Sequence, residues 1–185
     1  MNQIIQLANG KTISVSWWQV ALLAIAVSGV SRLFATTSPK KSQLFYSGIL
    51  KQAPWSPPGW LFGPVWTLIN FFLLWGLFKI LNMESRSAKH SLLAMQVLIW
   101  VIFYSFDYVY FNRKSPILAA LWTNFDFLLA LCSLLITWYA DRNLAYCYLP
   151  LVVWTLYAST VADYQAFYNG DPVFGTKPLL EYIEK

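Results

Sequence analysis

Residues 54–70 read PWSPPGWLFGPVWTLIN, a stiff proline-rich turn followed by the start of a long apolar run. Pro57 and Pro58 restrict the backbone and suit the first turn of a helix. The run continues as Gly59–Leu81, and a helix that crosses a bilayer needs about 20 mostly apolar residues. This part of the chain therefore predicts a membrane-spanning helix that begins at a rigid, tryptophan-rich turn.

The composition of the whole chain agrees with a membrane environment. Of 185 residues, 58% are hydrophobic and only 11% are charged, and the mean hydropathy is +0.49. Soluble domains carry about 25% charged residues. These values exclude a water-soluble globule and a disordered chain. The aromatic share of 18% indicates an aromatic interior or heavy interfacial belts.

Five apolar stretches are long enough to span the bilayer: Trp17–Phe34, Gly59–Leu81, Ser91–Phe111, Ser115–Tyr139 and Leu144–Tyr168. We therefore expect an all-α integral membrane bundle of five transmembrane helices over residues 17–170. An N-terminal extension (1–16) precedes it and a C-terminal tail (171–185) follows it. Residues 35–58 form the one long connector, whereas the later loops are short.

The distribution of basic residues predicts the orientation. The side with the long connector and the C-terminus carries eight of the 13 Lys and Arg residues, and the other side carries five. Positive charge accumulates on the cytoplasmic side, so we expect the connector and the C-terminus in the cytoplasm.

Charge and cysteine usage exclude two other kinds of partner. No basic run is longer than two residues, which argues against nucleic-acid binding. Cys132 and Cys147 lie in apolar segments and the single His90 lies in a predicted loop, so we expect no metal site. The sequence requires no cofactor.

Three of the eight acidic residues, Asp107, Asp126 and Asp163, fall inside the predicted spans, together with Asn70 and Asn124. An ionised carboxylate there costs about 2.5–3.5 kcal/mol on insertion scales, so these groups should face the bundle interior. They are either interhelical hydrogen-bonding groups or polar groups that serve a ligand or a proton transfer.

Helical periodicity assigns faces to the polar and aromatic residues. Asp107 shares a face with Trp100, and Asp126 shares one with Trp122. Asp163 points away from the face that carries Trp154 and Tyr157. On composition alone, the Trp residues at the start of the second span fit either an aromatic belt or a stacking wall for a flat ligand.

The order of residues in the opening stretch resembles the W-x-P-P-x-W-x-F-G-P-V-W-T signature of the tryptophan-rich sensory protein family, TspO/MBR, also called the translocator protein or peripheral benzodiazepine receptor. Trp55, Trp60 and Trp66 occupy its three Trp positions. A second pattern, P-Y-x-x-W-x-x-x-A, is matched in part by Pro150 and Trp154. Five spans and a long first loop also fit this family.

The resemblance implies a ligand pocket between the helices, covered by the first loop. Proteins of this family bind porphyrins, sterols or benzodiazepine-type compounds, and bacterial members are described as stress sensors and as catalysts of light-driven porphyrin degradation. The Trp positions tied to that chemistry correspond to Trp55 and Trp154. The expected ligand contacts are Trp55, Trp60, Trp66, Asn70, Trp100, Asp107, Trp122, Asp126, Trp154 and Tyr157.

Three functions are open on this basis. The first is a module that binds a hydrophobic ligand such as a porphyrin from the bilayer. The second is a membrane-embedded enzyme, an isomerase or cyclase of a polyene or terpenoid, with Asp107 and Asp163 as acid and base. The third is a regulatory membrane partner without a ligand of its own.

Several positions depart from the family pattern in the pocket-lining helices. Trp100 replaces the family's Asn in the third span, and Asn70 replaces a Tyr. Asp107 and Tyr108 stand in place of a Phe pair. These changes put the identity of the ligand in question rather than the fold. Dimers are common in the family, and Ala24 and Ser28 have a small-xxx-small spacing that is too frequent to assign an interface.

Overall fold

The computed structural model describes residues 2–6, 12–34, 38–84 and 86–180. Its elements are a β-hairpin and six α-helices: β1 Asn2–Gln6, β2 Thr12–Ser16, α1 Trp17–Phe34, α2 Pro39–Leu44, α3 Phe62–Leu81, α4 Arg86–Asp107, α5 Pro116–Ala140 and α6 Arg142–Tyr168. Short π-helical turns follow α2 and α4, and a 3₁₀ turn, Gly59–Leu61, precedes α3.

The protein is an all-α bundle with apolar outer faces. Within the described ranges, four segments are long and apolar enough to cross a membrane: Gly59–Leu81, Ser87–Asn112, Pro116–Ala140 and Arg142–Tyr168. Helix α1 contains a shorter apolar stretch, Trp17–Ser31. Leu22, Val97, Leu128 and Val153 are all more than half exposed, which suits lipid rather than water.

Residues outside the long apolar helices also form regular structure. Within the N-terminal extension, residues 2–6 and 12–16 form an antiparallel strand pair, with Asn2 paired to Ser16, that adjoins α1 directly. The described part of the connector contains α2 and the π-turn Phe45–Ile49. Its Pro39 supports helix formation because proline is well tolerated in the first turn of a helix.

Two helices begin a few residues before the apolar spans predicted from the sequence. Helix α4 begins at Arg86 rather than Ser91, and α6 begins at Arg142 rather than Leu144. At α6 the physical reason is an N-cap: the Asp141 side chain accepts a hydrogen bond from the backbone N–H of Asn143 at 2.9 Å.

The core lies where α3, α4, α5 and α6 meet, and α5 and α6 form the most extensive helix pair. Buried Tyr148 donates to Gln96 Oε1 at 2.9 Å, and Gln96 Nε2 donates to the Leu73 carbonyl at 3.3 Å. This chain of bonds links α6, α4 and α3 through groups that would otherwise be unsatisfied in an apolar interior. Gly76 of α3 faces Cys147 of α6, where an added Cβ would lie 3.2 Å from the Cys147 Cβ.

A polar clasp fastens the segment after α6 to the start of α5. The buried Asp171 carboxylate accepts from Ser115 Oγ at 2.5 Å and from the backbone N–H groups of Ile117, Val173 and Phe174. Burial favours the neutral acid, but these four donors favour the carboxylate more strongly and hold the pKa of Asp171 below its usual value.

We expect Asp171→Asn to lower the free energy of unfolding at neutral pH by about 1–3 kcal/mol, because the donors lose a charged acceptor. A lowered folded-state pKa stabilises the native state above the unfolded pKa of about 3.9 and loses that effect as pH falls through the folded value. Thermal unfolding in detergent from neutral pH to about pH 3 checks this: the destabilisation of the variant relative to wild type should shrink in acid. A constant difference across the range would contradict it.

Candidate functional site

A cavity of about 910 Å³ lies inside the bundle beneath the connector. Residues from α1, α2, the 3₁₀ turn and helices α3 to α6 line it. Its wall is strongly aromatic, and the aromatic lining residues are Tyr46, Trp60, Phe62, Trp66, Phe103, Phe106, Tyr110, Phe111 and Trp154. The volume lies in the upper part of the range of small-molecule sites.

The aromatic wall is held by edge-to-face contacts. Phe62 and Trp154 have ring centroids 5.6 Å apart at an interplanar angle of 81°, and Tyr46 meets Phe62 at 5.7 Å and 86°. The ring centroids of Trp66 and Phe103 lie 4.9 Å apart. These distances are typical of favourable aromatic pairs, so rings from the connector, α3, α4 and α6 position one another around the empty space.

Helix α6 contributes one continuous face to the cavity. Trp154, Ala158, Val161 and Gln165 follow the spacing i, i+4, i+7 and i+11, and all of them line the cavity. The sequence analysis missed Gln165 as a site residue. Its position is only about 20° from Trp154 on a helical wheel, so the periodicity contained the signal.

The polar lining comes from several elements. Ser28 and Ser31 of α1 and Ser42 of α2 contribute hydroxyl groups, and Asp107 and Asp126 contribute carboxyl groups from α4 and α5. None of the lining residues that the structure describes is Lys, Arg or His. In the described ranges, no group of three or more His, Cys, Asp or Glu residues is placed to hold a metal ion.

The connector is fastened over the cavity by the end of α6. The Asn169 side chain accepts from the Lys51 N–H at 2.8 Å and donates to the Lys51 carbonyl at 3.1 Å. One amide thus pairs with both backbone groups of a residue 118 positions earlier in the chain. This pairing holds the connector against the C-terminal end of α6.

A second set of hydrogen bonds continues into the cavity wall. Gln165 Nε2 donates to Gln52 Oε1 at 2.8 Å, and the Tyr110 hydroxyl donates to Gln165 Oε1 at 2.6 Å. Gln52 also donates to the Tyr46 carbonyl. The Tyr46 hydroxyl donates to the Pro57 carbonyl at 2.8 Å, and burial raises the pKa of Tyr46 to about 12, so this phenol keeps the proton it donates.

Trp55 lies in the connector and is half exposed rather than among the described lining residues. Its indole N–H donates to Thr160 Oγ1 at 3.1 Å, and its carbonyl accepts from the Tyr157 hydroxyl at 2.6 Å. Its ring meets Tyr164 at 5.5 Å. Trp55 and Tyr157 therefore join the connector to α6, whereas Trp154 faces the cavity.

Three other predicted contact residues lie between helices, where two of them make hydrogen bonds and the third packs against apolar side chains. Asn70 is fully buried and donates to Ser28 Oγ at 3.1 Å, which joins α3 to α1. Trp122 donates to Ser105 Oγ at 2.9 Å, which joins α5 to α4. Trp100 packs near Val20 and Ala24 of α1. None of these three is among the described residues that line the cavity.

The three intramembrane acids have different surroundings. Asp107 and Asp126 line the cavity. Asp163 instead accepts from Asn124 Nδ2 at 2.7 Å and lies outside the described lining, so it joins α6 to α5. The structure brings Asp107 and Asp126 to one cavity, and it does not bring Asp163 there.

These features define an integral membrane protein of the helical-bundle class, with an internal cavity walled by aromatic side chains. The profile of the TspO/MBR family matches residues 20–166, and the chain belongs to this family. Residues 20–166 include all the described residues that line the cavity.

A curated relative supports this membership. The chain is 33% identical over 67 residues to the "Tryptophan-rich protein TspO" of Chlorobaculum tepidum, and the match covers 35% of this chain and 42% of the relative. The chain thus aligns with less than half of that relative's length.

Proposed function

We propose that this protein takes a hydrophobic ligand, in the first instance a porphyrin or similar tetrapyrrole, into the aromatic cavity from the bilayer. The observation that carries the proposal is the cavity itself. About 910 Å³ of space is walled by nine aromatic side chains, with Phe62, Trp66 and Trp154 among them. Aromatic faces and edges suit a flat apolar molecule, and a few polar groups can orient it.

The proposal includes the arrangement in the membrane. All five apolar helices, α1 included, cross the bilayer, and the connector and C-terminus face the cytoplasm, as the excess of Lys and Arg on that side favours. The bilayer supplies the ligand, and a homodimer is the proposed assembly. A sensing, transport or light-dependent role follows ligand binding.

The test is a spectral titration of the purified, detergent-solubilised protein with protoporphyrin IX. We expect a saturable shift of the Soret band with quenching of Trp fluorescence. Trp154→Phe should weaken binding by about three- to tenfold, because indole stacking contributes about 0.5–1.5 kcal/mol beyond burial.

Trp138→Phe is the matched control, because Trp138 is exposed near the end of α5 beside Arg142 and lies outside the described lining. It should bind as the wild type does. Equal affinity of wild type and Trp154→Phe, or no saturable shift, would contradict the proposal. Illumination of the same samples tests the porphyrin-degrading role. In that role, Trp55 would contribute from the connector and not from the cavity wall.

A second candidate function is acid–base isomerisation or cyclisation of a polyene lipid. The presence of two carboxyl groups, Asp107 and Asp126, on the wall of an apolar cavity favours it. Asp163 is not needed for this version. Chromatographic recovery of a polyene unchanged after prolonged incubation with the protein would exclude it for that substrate.

A further inference from the structure

Asp126 is the most unusual polar group in the cavity wall. Its side chain lines the cavity, yet the residue is only 2% exposed. Its Oδ1 atom is buried and has no hydrogen-bond partner among the described residues. A buried carboxyl oxygen without a partner is costly, because it has lost water and gained nothing in return.

The hydroxyl groups that α5 and α6 contribute to the described cavity wall are bonded elsewhere. Thr123, one turn earlier on α5, donates to the Ala119 carbonyl at 2.8 Å. Thr155, which lines the cavity from α6, donates to the Leu151 carbonyl at 2.7 Å. Each hydroxyl group donates its proton within its own helix, so neither of them donates to Asp126 Oδ1.

The charge of the wall points in the same direction. Asp126 lines the cavity, and none of the described lining residues is Lys, Arg or His. A ligand carboxylate would therefore lose its hydration in this wall without gaining a cationic partner, whereas a hydroxyl or amine can donate to the unbonded Asp126 oxygen.

We propose that Asp126 selects the ligand by accepting a hydrogen bond from a hydroxyl or amine carried by an otherwise apolar molecule. This assignment rests on the proposed function, since it requires a ligand in the cavity. It adds a chemical requirement to that function: the end of the ligand that reaches α5 carries a donor and not a carboxylate.

The test uses three probes that differ only in their terminal group: all-trans-retinol, retinal and retinoic acid. Retinol has a hydroxyl donor, retinal has an acceptor without a donor, and retinoic acid has a carboxylate at neutral pH. Affinities are measured by quenching of Trp fluorescence in detergent, and protoporphyrin IX is titrated in parallel.

We expect the wild type to bind retinol about three- to tenfold more tightly than retinal, as one net hydrogen bond to a buried oxygen allows. The preference for retinol over retinoic acid should be larger. Asp126→Leu, which replaces the carboxyl group by an apolar side chain of similar size, should bring the three affinities within about twofold of one another. Asp126→Asn keeps the shape but adds an N–H donor to which the retinal carbonyl can bond, so the difference between retinol and retinal should narrow.

Asp163→Asn is the matched control, because it makes the same change on a carboxyl group that is bonded to Asn124 and lies outside the described lining. Its probe preference should equal that of the wild type. Retinal binding as tightly as retinol, or an unchanged preference for retinol in Asp126→Leu, would overturn the assignment. Saturable binding of porphyrin would still leave the proposed function intact. If neither porphyrin nor any retinoid gave saturable quenching, the proposed function would fail and the assignment with it.

Discussion

Ala158→Phe is expected to block ligand binding, with a loss of affinity of at least about 100-fold, equivalent to about 2.7 kcal/mol. Ala158 lies on α6 one turn after Trp154 and lines the cavity. A phenyl ring at this position would extend into the space that we assign to the ligand. The surrounding wall is built from interlocked aromatic rings, such as Phe62 against Trp154, and cannot move aside cheaply.

The measurement is the protoporphyrin IX titration, with the same titration repeated for retinol. The control is Ala26→Phe, since Ala26 is exposed on α1 and a larger side chain there meets lipid. It should leave both affinities unchanged. A circular-dichroism spectrum and melting temperature close to wild type would show that the Ala158→Phe bundle is folded. Undiminished binding by that folded variant would place the ligand outside this cavity.

Gly76→Val is expected to destabilise the bundle by about 2–3 kcal/mol, the usual cost of overpacking a core. Gly76 lets α3 approach α6 so closely that an added Cβ would meet the Cys147 Cβ at 3.2 Å and Leu144 Cδ1 at 3.4 Å. A single methyl group already requires the neighbours to yield by a few tenths of an ångström. The two further methyl groups of valine must push the helices apart.

Equilibrium unfolding by titration of a denaturing detergent into a mild one measures this effect. Gly29→Val is the matched control, because a Cβ at Gly29 of α1 has no other atom within 4 Å. That variant should unfold within about 0.5 kcal/mol of the wild type, as surface substitutions usually do. Equal destabilisation by the two substitutions would mean that helix propensity, and not the α3–α6 contact, sets the cost.

The apolar segments could be placed from the sequence because span length and hydropathy are local properties. Gly59–Leu81 coincides with the first of the four long apolar helices of the described chain. The Trp motif indicated the family for a similar reason, since its matched positions all lie within residues 55–67. Local polarity is a poorer guide to helix ends, since α4 begins at Arg86, within a polar stretch that precedes the apolar span.

The roles of individual side chains could not be predicted, because they depend on how each helix is rotated against its neighbours. Trp55 and Trp154 belong to the same expected chemistry, yet only Trp154 faces the cavity among the described lining residues. The pairing of Asn169 with Lys51 joins residues far apart in sequence, and no local pattern encodes it. The close approach at Gly76 likewise depends on Cys147, which lies in another helix.

The pairing of Asn169 with Lys51 also sets an order of events during synthesis. The connector is synthesised before helices α3 to α6, whereas its anchor follows α6. Because contacts between distant parts of a chain form only after both parts exist, the connector can be fastened only once α6 and Asn169 have been made.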